Sequence, residues 1–325
     1  MSTRFGQNPA KSMPDVAQPA EVTVAVVVYI PFTGGYYAES LDVLKLCLES
    51  IVANTQYPYD LMVFDNASCA EVREYLLEMH QAGKIQYLVF SEQNVGKAGA
   101  WNYVFGAAPG KYVAYADSDV YHYPGWLQPQ IEVLEQLPQA GMVTGLPMLT
   151  PEEYSSATVA WAEDNPDVTL ERGRFLPWED FWRHAVSLGG DEERARQFYE
   201  ANQDICVVYQ GERYYVGASH FQFVGRKRIF QSVLPIPSQR PMGQVRLLDE
   251  AINAKGYLRL CTSEWYNQHM GNTVPPQEFF AHPVEGVRQQ PVQASAGKGL
   301  WAFKPLRRLL QWVYNRSFEI LYRSE

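Results

Sequence analysis

The strongest constraint on the fold is an alternation that begins at Val22. "VTVAVVVYI" is a continuous, mostly β-branched run of the kind that forms a strand buried on both faces, and the Pro/Gly loop "PFTGGYY" follows it. In "LDVLKLCLESIVAN" the residues Leu41, Leu44, Leu48 and Ile51 recur at helical spacing. The pattern repeats as strand "DLMVFD", helix "EVREYLLEMHQAG", strand "IQYLVFSE", helix "KAGAWNYVFGAA", strand "KYVAYADSD", helix "GWLQPQIEVLEQL" and strand "GMVTGL". Strands and helices that alternate at such short intervals build βαβ units, so an α/β fold with a mostly parallel central sheet flanked by helices is expected.

In sheets of this kind ligands bind outside the carboxyl ends of the strands. Three strands end there in polar or acidic residues: Asp65 in "VFDNAS", Glu92 and Asn94 in "FSEQNVG", and Asp117 and Asp119 in "YADSD". Two carboxylates at i and i+2 can face one cleft and share a hard divalent cation with substrate phosphates, or can cap a turn, since Asp and Ser favour local hydrogen bonds there. Gly96 and Gly99 in "NVGKAGAWN" permit close backbone approach at a helix start, where anions are favoured. They form neither a G-x-G-x-x-G fingerprint nor a phosphate-binding Walker loop, which disfavours a dehydrogenase or a P-loop NTPase.

Composition narrows the remaining classes. The 325 residues are 46% hydrophobic and carry 36 acidic against 27 basic residues, a net charge of -9, which argues against a nucleic-acid partner. Cys47, Cys69, Cys206 and Cys261 are scattered without a CxxC pair and read as reduced structural cysteines. No signal-like run is evident and no stretch offers about 20 uninterrupted apolar residues, so a cytoplasmic location is expected, with the inner face of the membrane as the place for any peripheral contact.

Taken together, "VTVAVVVYIP", "LESIVANTQYPYDLMVFDNAS", "NVGKAGAWN" and "KYVAYADSD", in this order, resemble the nucleotide-sugar-binding half of family 2 glycosyltransferases with the GT-A fold. The resemblance covers about 22–150 well. It extends less closely to "GASHFQFVGRKRIF", to the acidic acceptor-site motif in "LLDEAINAKGYLRL" and to "EWYNQHMGN".

The resemblance implies a metal-dependent, inverting glycosyltransferase that moves a sugar from a nucleoside diphosphate sugar to an acceptor hydroxyl on a glycan, a lipid-linked acceptor or a protein. Pro31 and Asp65 would line the base and ribose pocket, and Asn94, Gly96 and Lys97 would lie beside the nucleotide and its phosphates. Asp117 would meet the ribose or the metal shell. Asp119 would ligate Mn²⁺ or Mg²⁺, with His269 as a further ligand. Asp249 would be the catalytic base and Glu250 its rival. A nucleotidyltransferase is the closest enzymatic alternative, although "PFTGGYY" lacks its basic loop; a catalytically inactive nucleotide-sugar- or glycan-binding subunit is the alternative from another class.

The expected organisation is a flexible tail over 1–20, a nucleotide-sugar-binding segment over 21–150 and an acceptor-binding segment over 151–298. The last carries a Trp-rich helical insertion at 151–215. Beyond it, 299–325 reads as an amphipathic helix with Leu306, Leu309, Leu310 and Val313 on one face and Arg307 and Arg308 elsewhere. Such a helix packs on its own domain or on a partner subunit, as in a homo-oligomer; contact of 300–325 with an anionic membrane is the minority alternative.

Overall fold

The computed structural model describes residues 6–13, 16–241 and 244–281. The expected C-terminal helix and the end of the acceptor segment lie outside them. The alternation appears where the sequence places it: β1 (Val22–Val28), α1 (Ser40–Asn54), β2 (Tyr59–Asn66), α2 (Ala70–Gln81), β3 (Tyr87–Ser91), α3 (Gly96–Ala107) and β4 (Tyr112–Asp117). A short β5 (Val120–His122), α4 (Leu127–Gln136) and β6 (Ala140–Thr144) follow.

The segment 151–215 contains the expected helices, α5 (Ser156–Asp164), α6 (Trp178–Ser187) and α7 (Glu192–Ala201). It also holds three strands, β7 (Val168–Gly173), β8 (Asp204–Tyr209) and β9 (Glu212–Val216), so it is mixed rather than purely helical. Short runs such as "VTLERG" and "ERYYV" are too brief to stand out by periodicity beside two Trp-rich helices. After them come β10 (Gln222–Arg226), α8 (Lys227–Gln231), α9 (Arg246–Ala254), β11 (Leu258–Cys261) and β12 (Asn267–His269). The strand expected across "HFQFVGRKRIF" therefore ends at Arg226, where Lys227 starts a helix.

One sheet joins all but two of these strands in the order β3-β2-β1-β4-β10-β6-β11-β9-β8-β7. Following the pairings outward from β1, seven of the ten strands run one way, and β10, β9 and β7 run against them. This is the mostly parallel α/β sheet expected from the sequence.

β1 shows why the sheet needs a layer on each face. Val22, Val24, Val26 and Val28 pack into one core with Val43, Leu44, Leu48 and Ile51 of α1, while Ala25 and Val27 face the other core with Trp101 and Phe105 of α3. A strand alternates faces at every residue, so only a run apolar at both parities can sit at the centre.

A second ladder sits over the carboxyl end of β4. β5 and β12 pair antiparallel with Val120 opposite His269, and Met270 N–H donates to Asp119 O at 2.8 Å. Residues about 150 positions apart in the chain meet there.

Candidate functional site

The two aspartates that end β4 have separate partners. Lys97 Nζ lies 2.6 Å from Asp117 Oδ2, and Tyr115 Oη donates to Asp117 Oδ1 at 2.5 Å. Asp119 Oδ2 lies 3.2 Å from His269 Nε2, while Asp119 Oδ1 is buried without a hydrogen-bond partner. Each carboxylate has its own basic partner, Lys97 for Asp117 and His269 for Asp119. Burial lifts the Asp117 carboxyl above its ordinary range against the pull of Lys97. Burial acts the same way on Asp119, but the His269 imidazole outweighs it and holds that carboxyl low. For His269, burial disfavours the imidazolium, yet Asp119 outweighs it and raises the pKa above the usual histidine value.

α6 reaches into this cluster. Ser187 Oγ lies 3.1 Å from His269 Nδ1, and the His184 and His269 ring centroids are 6.4 Å apart. Burial, with His269 nearby, lowers the His184 pKa to about 3. Among the described residues no group of three or more His, Cys, Asp or Glu side chains is arranged to hold a metal. Of the three ligands expected from the sequence, Asp119 and His269 meet each other, and Asp117 is engaged by Lys97 and Tyr115.

On the other side of β1, the β2–α2 turn closes on itself. Asp65 is fully buried, accepts from Ser68 N–H at 3.1 Å and pairs with Arg73 Nε at 3.0 Å. Ser68 Oγ accepts from Ile30 N–H at 3.0 Å, and Cys69 N–H donates to Ile30 O at 2.9 Å, so this turn fixes the exit of β1 beside Pro31. The carboxylate expected to meet the base or ribose is thus engaged within the fold, where the first turn of α2 brings Arg73 back onto it.

Asn94 caps α3. Its Oδ1 accepts from Gly96 N–H at 2.8 Å and from Asn66 Nδ2 at 2.9 Å, and Asn66 Oδ1 accepts from Val95 N–H at 2.8 Å. Gly96 has φ +74°, and a Cβ there would come within 2.8 Å of Arg240 O and of Ser238 Oγ. Lys97 N–H donates to Pro241 O at 3.1 Å. The close approach that the glycine permits is used by the chain's own 238–241 segment, which covers the helix start expected to meet phosphate.

Asp249 and Glu250 part company on α9. Glu250 is exposed and makes no bond among the described residues, whereas Asp249 is 3% exposed. Its Oδ1 lies 2.8 Å from Arg259 Nη2, an ion pair without aligned hydrogen-bond geometry, and its Oδ2 meets His220 Nε2. His220, Tyr115, Arg73, Ser187 and Arg259 escape a reading by motif; His220, Ser187 and Arg259 are placed by partners far away in sequence, Tyr115 and Arg73 by partners two and eight residues away. A separate hollow lined by Tyr57, Pro58 and Leu127 opens at the amino-terminal end of β2, away from all of these groups.

Residues 35–183 match the family model of glycosyl transferase family 2. That segment is similar to family 2 glycosyltransferases. It takes in Asp65, Asn94, Lys97, Asp117 and Asp119, and stops short of His220, Asp249 and His269. An uncharacterized glycosyltransferase of Nostoc sp. is 25% identical over 135 residues, which are 40% of this chain and 42% of that protein. The chain thus spans under half the length of this curated relative.

Among solved structures, S. aureus TarS in complex with UDP-GlcNAc is 15% identical with a TM-score of 0.46, covering 80% of this chain and 63% of that one. The mannosyltransferase PcManGT from Pyrobaculum calidifontis, in complex with GDP-Man and Mn²⁺, is 16% identical with a TM-score of 0.41, covering 78% and 59%. The four cysteines are free, and among the described residues no helix is long and apolar enough to cross a membrane.

Proposed function

We propose that the chain is an inverting glycosyltransferase of GT-A type that takes a sugar from a nucleoside diphosphate sugar and passes it to an acceptor hydroxyl. The observation that supports this most is the meeting of Lys97, Asp117, Asp119 and His269 at the carboxyl end of β4, in or directly beside the family 2 segment. Pro31 and the turn that Asp65 and Arg73 organise wall the nucleotide side. Asn94 and Gly96 shape the start of α3, from which the Lys97 side chain reaches the diphosphate side. A glycan, a lipid-linked sugar or a protein hydroxyl enters from the side of α6, which belongs to the segment expected to set acceptor choice.

A divalent cation belongs to this reading. Asp119 offers a buried oxygen without a partner next to an imidazole nitrogen, and a carboxylate with one imidazole suits Mn²⁺ better than Mg²⁺, which prefers oxygen ligands throughout. Asp119 and His269 would hold the ion, which supplies positive charge against the departing diphosphate. The protein's own part is positional: Lys97 neutralises Asp117, Asn94 and Asn66 fix the start of α3, and the Asp249 assembly stands ready for the acceptor proton.

Thermal unfolding with UDP, GDP, UDP-GlcNAc and GDP-mannose, each with and without Mn²⁺, tests the reading, because a ligand that binds only the folded state raises Tm. At least one diphosphate should raise Tm more with Mn²⁺ than without it, and Asp119→Asn should abolish that increment. A panel without any shift would overturn the assignment.

A further inference from the structure

The carboxylate that the sequence offers as proton acceptor is committed inside the fold. The Asp249 side chain is 4% exposed, held between His220 and an Arg259 that is itself 1% exposed. Arg259 is fixed in turn: Nη2 donates to Ala218 O at 2.6 Å, and Nη1 donates to Tyr154 O. A hydroxyl arriving from solvent meets His220 first.

The His220 side chain is 31% exposed. It stands one residue before the backbone partner of Asp117, whose N–H donates to Phe221 O at 2.7 Å. Its ring centroid is 6.4 Å from that of Trp101, and Lys97 Nζ lies 5.4 Å from the Trp101 ring centroid, so the imidazole and the Lys97 ammonium share the Trp101 ring as a neighbour. An ionised carboxylate only accepts hydrogen bonds, so a neutral His220 ring carries its hydrogen on Nε2, towards Asp249, and its lone pair on Nδ1. Among the described residues nothing bonds to Nδ1.

We propose that His220 is the group that takes the acceptor's proton, and that Asp249 is a positioning residue that holds the imidazole in the Nε2–H tautomer. The proposal rests on the glycosyl-transfer reading above. In the step, a lone pair of the acceptor oxygen forms the bond to the anomeric carbon. The bond from that carbon to the diphosphate oxygen breaks, and its electron pair leaves with the nucleoside diphosphate. The acceptor's proton passes to Nδ1, and the resulting imidazolium stays paired with Asp249. The charged groups around the ring are Asp249 from α9, with Arg259 of β11 behind it, and the Lys97–Asp117 pair from α3 and β4.

Two measurements on the full chain test this. In long-range ¹H–¹⁵N spectra of ¹⁵N-histidine-labelled protein, with the His220→Gln spectrum as assignment, His220 should appear as the Nε2–H tautomer, and Asp249→Asn should abolish that preference. In turnover, read as UDP or GDP release from UDP-GlcNAc and GDP-mannose with Mn²⁺ and added monosaccharides, His220→Gln should lower kcat by about 10²–10⁴-fold. Its glutamine amide can still donate to Asp249, and the Tm shift from UDP or GDP should match that of the wild type. Asp249→Asn should lower kcat similarly, and the double variant no further, because the two act as one unit. A wild-type Nδ1–H tautomer, or near-normal kcat in His220→Gln beside an inactive Asp249→Asn, overturns the His220 assignment alone. If the wild type neither releases nucleotide nor shifts with any diphosphate, the transferase reading falls, and this base with it.

Discussion

The two ends of the large sheet are held together by different means. From β3 to β4 the strands are parallel, and their interior is Val, Leu, Ile and aromatic residues, with the polar Asp65 and Asn66 confined to a strand end. From β10 to β7 the sheet is mixed, and charged groups lie within it. Arg226 is 8% exposed and donates to Leu134 O in the last turn of α4 and to Ala140 O (3.3 Å) at the start of β6. Asp204 is 1% exposed and accepts from Phe175 N–H at 2.7 Å and from Leu176 N–H at 2.9 Å. Arg259 joins Tyr154, Ala218 and Asp249. The parallel end depends on apolar area, which tolerates approximate fit. The mixed end depends on a few charges, each of which becomes a liability when its partner is removed.

Substitutions can sharpen that contrast. Arg259→Leu, which leaves Asp249 buried without its cation, should cost about 4 kcal/mol in urea unfolding, and adding Asp249→Asn should recover part of that loss. Leu44→Ala at the α1–β1 contact should cost about 3 kcal/mol through lost transfer energy and a cavity, with no partner substitution that recovers it by charge.

His122, fully buried where β5 meets α1, supplies a test by pH. Burial lowers its pKa to about 3, so between the unfolded value of about 6.5 and that point the unfolded chain binds a proton that the folded chain refuses. Stability contributed by the neutral ring should therefore fall by about 1.4 kcal/mol for each pH unit of acidification through that window, and His122→Gln should remove this part of the slope. The smallest effect is expected for Asp204→Ala, about 1.5 kcal/mol, from two backbone donors left without an acceptor. Equal costs for Arg259→Leu and Leu44→Ala, with no recovery in the double variant, would show that the charges are incidental to the mixed end.

The same contrast explains what could be read from the chain alone. β1 to β4 and their helices are legible because each element carries its own period, and a run apolar at both parities, as in "VTVAVVV", has few other fates. Asp117 and Asp119 were visible as a pair, but nothing near them in sequence told that Lys97 would claim one and His269 the other. His269 arrives through the β5–β12 ladder, which joins residues about 150 positions apart, and Lys97 through the packing of α3 beside β4. Asp65 stands out as a strand-end acid, but its partner Arg73, eight residues on and in the next helix, carries no signal of the pairing. Gly96 was rightly marked as a point of close approach; its partner turned out to be Arg240 and Ser238 of the chain itself.

The way 151–215 joins the sheet bears on how such a protein could be re-engineered. β9 pairs with β11, β8 with β9, and β7 closes the edge, so the segment that carries α6 is woven into the scaffold and is not a loop set upon it. Exchanging only the Trp-rich helices between homologues would keep the sheet whole. Exchanging the entire insertion would strip three strands and leave β11 as an open edge, ready to pair with another chain. The modular unit for transplanting specificity is thus smaller than the stretch that looks inserted.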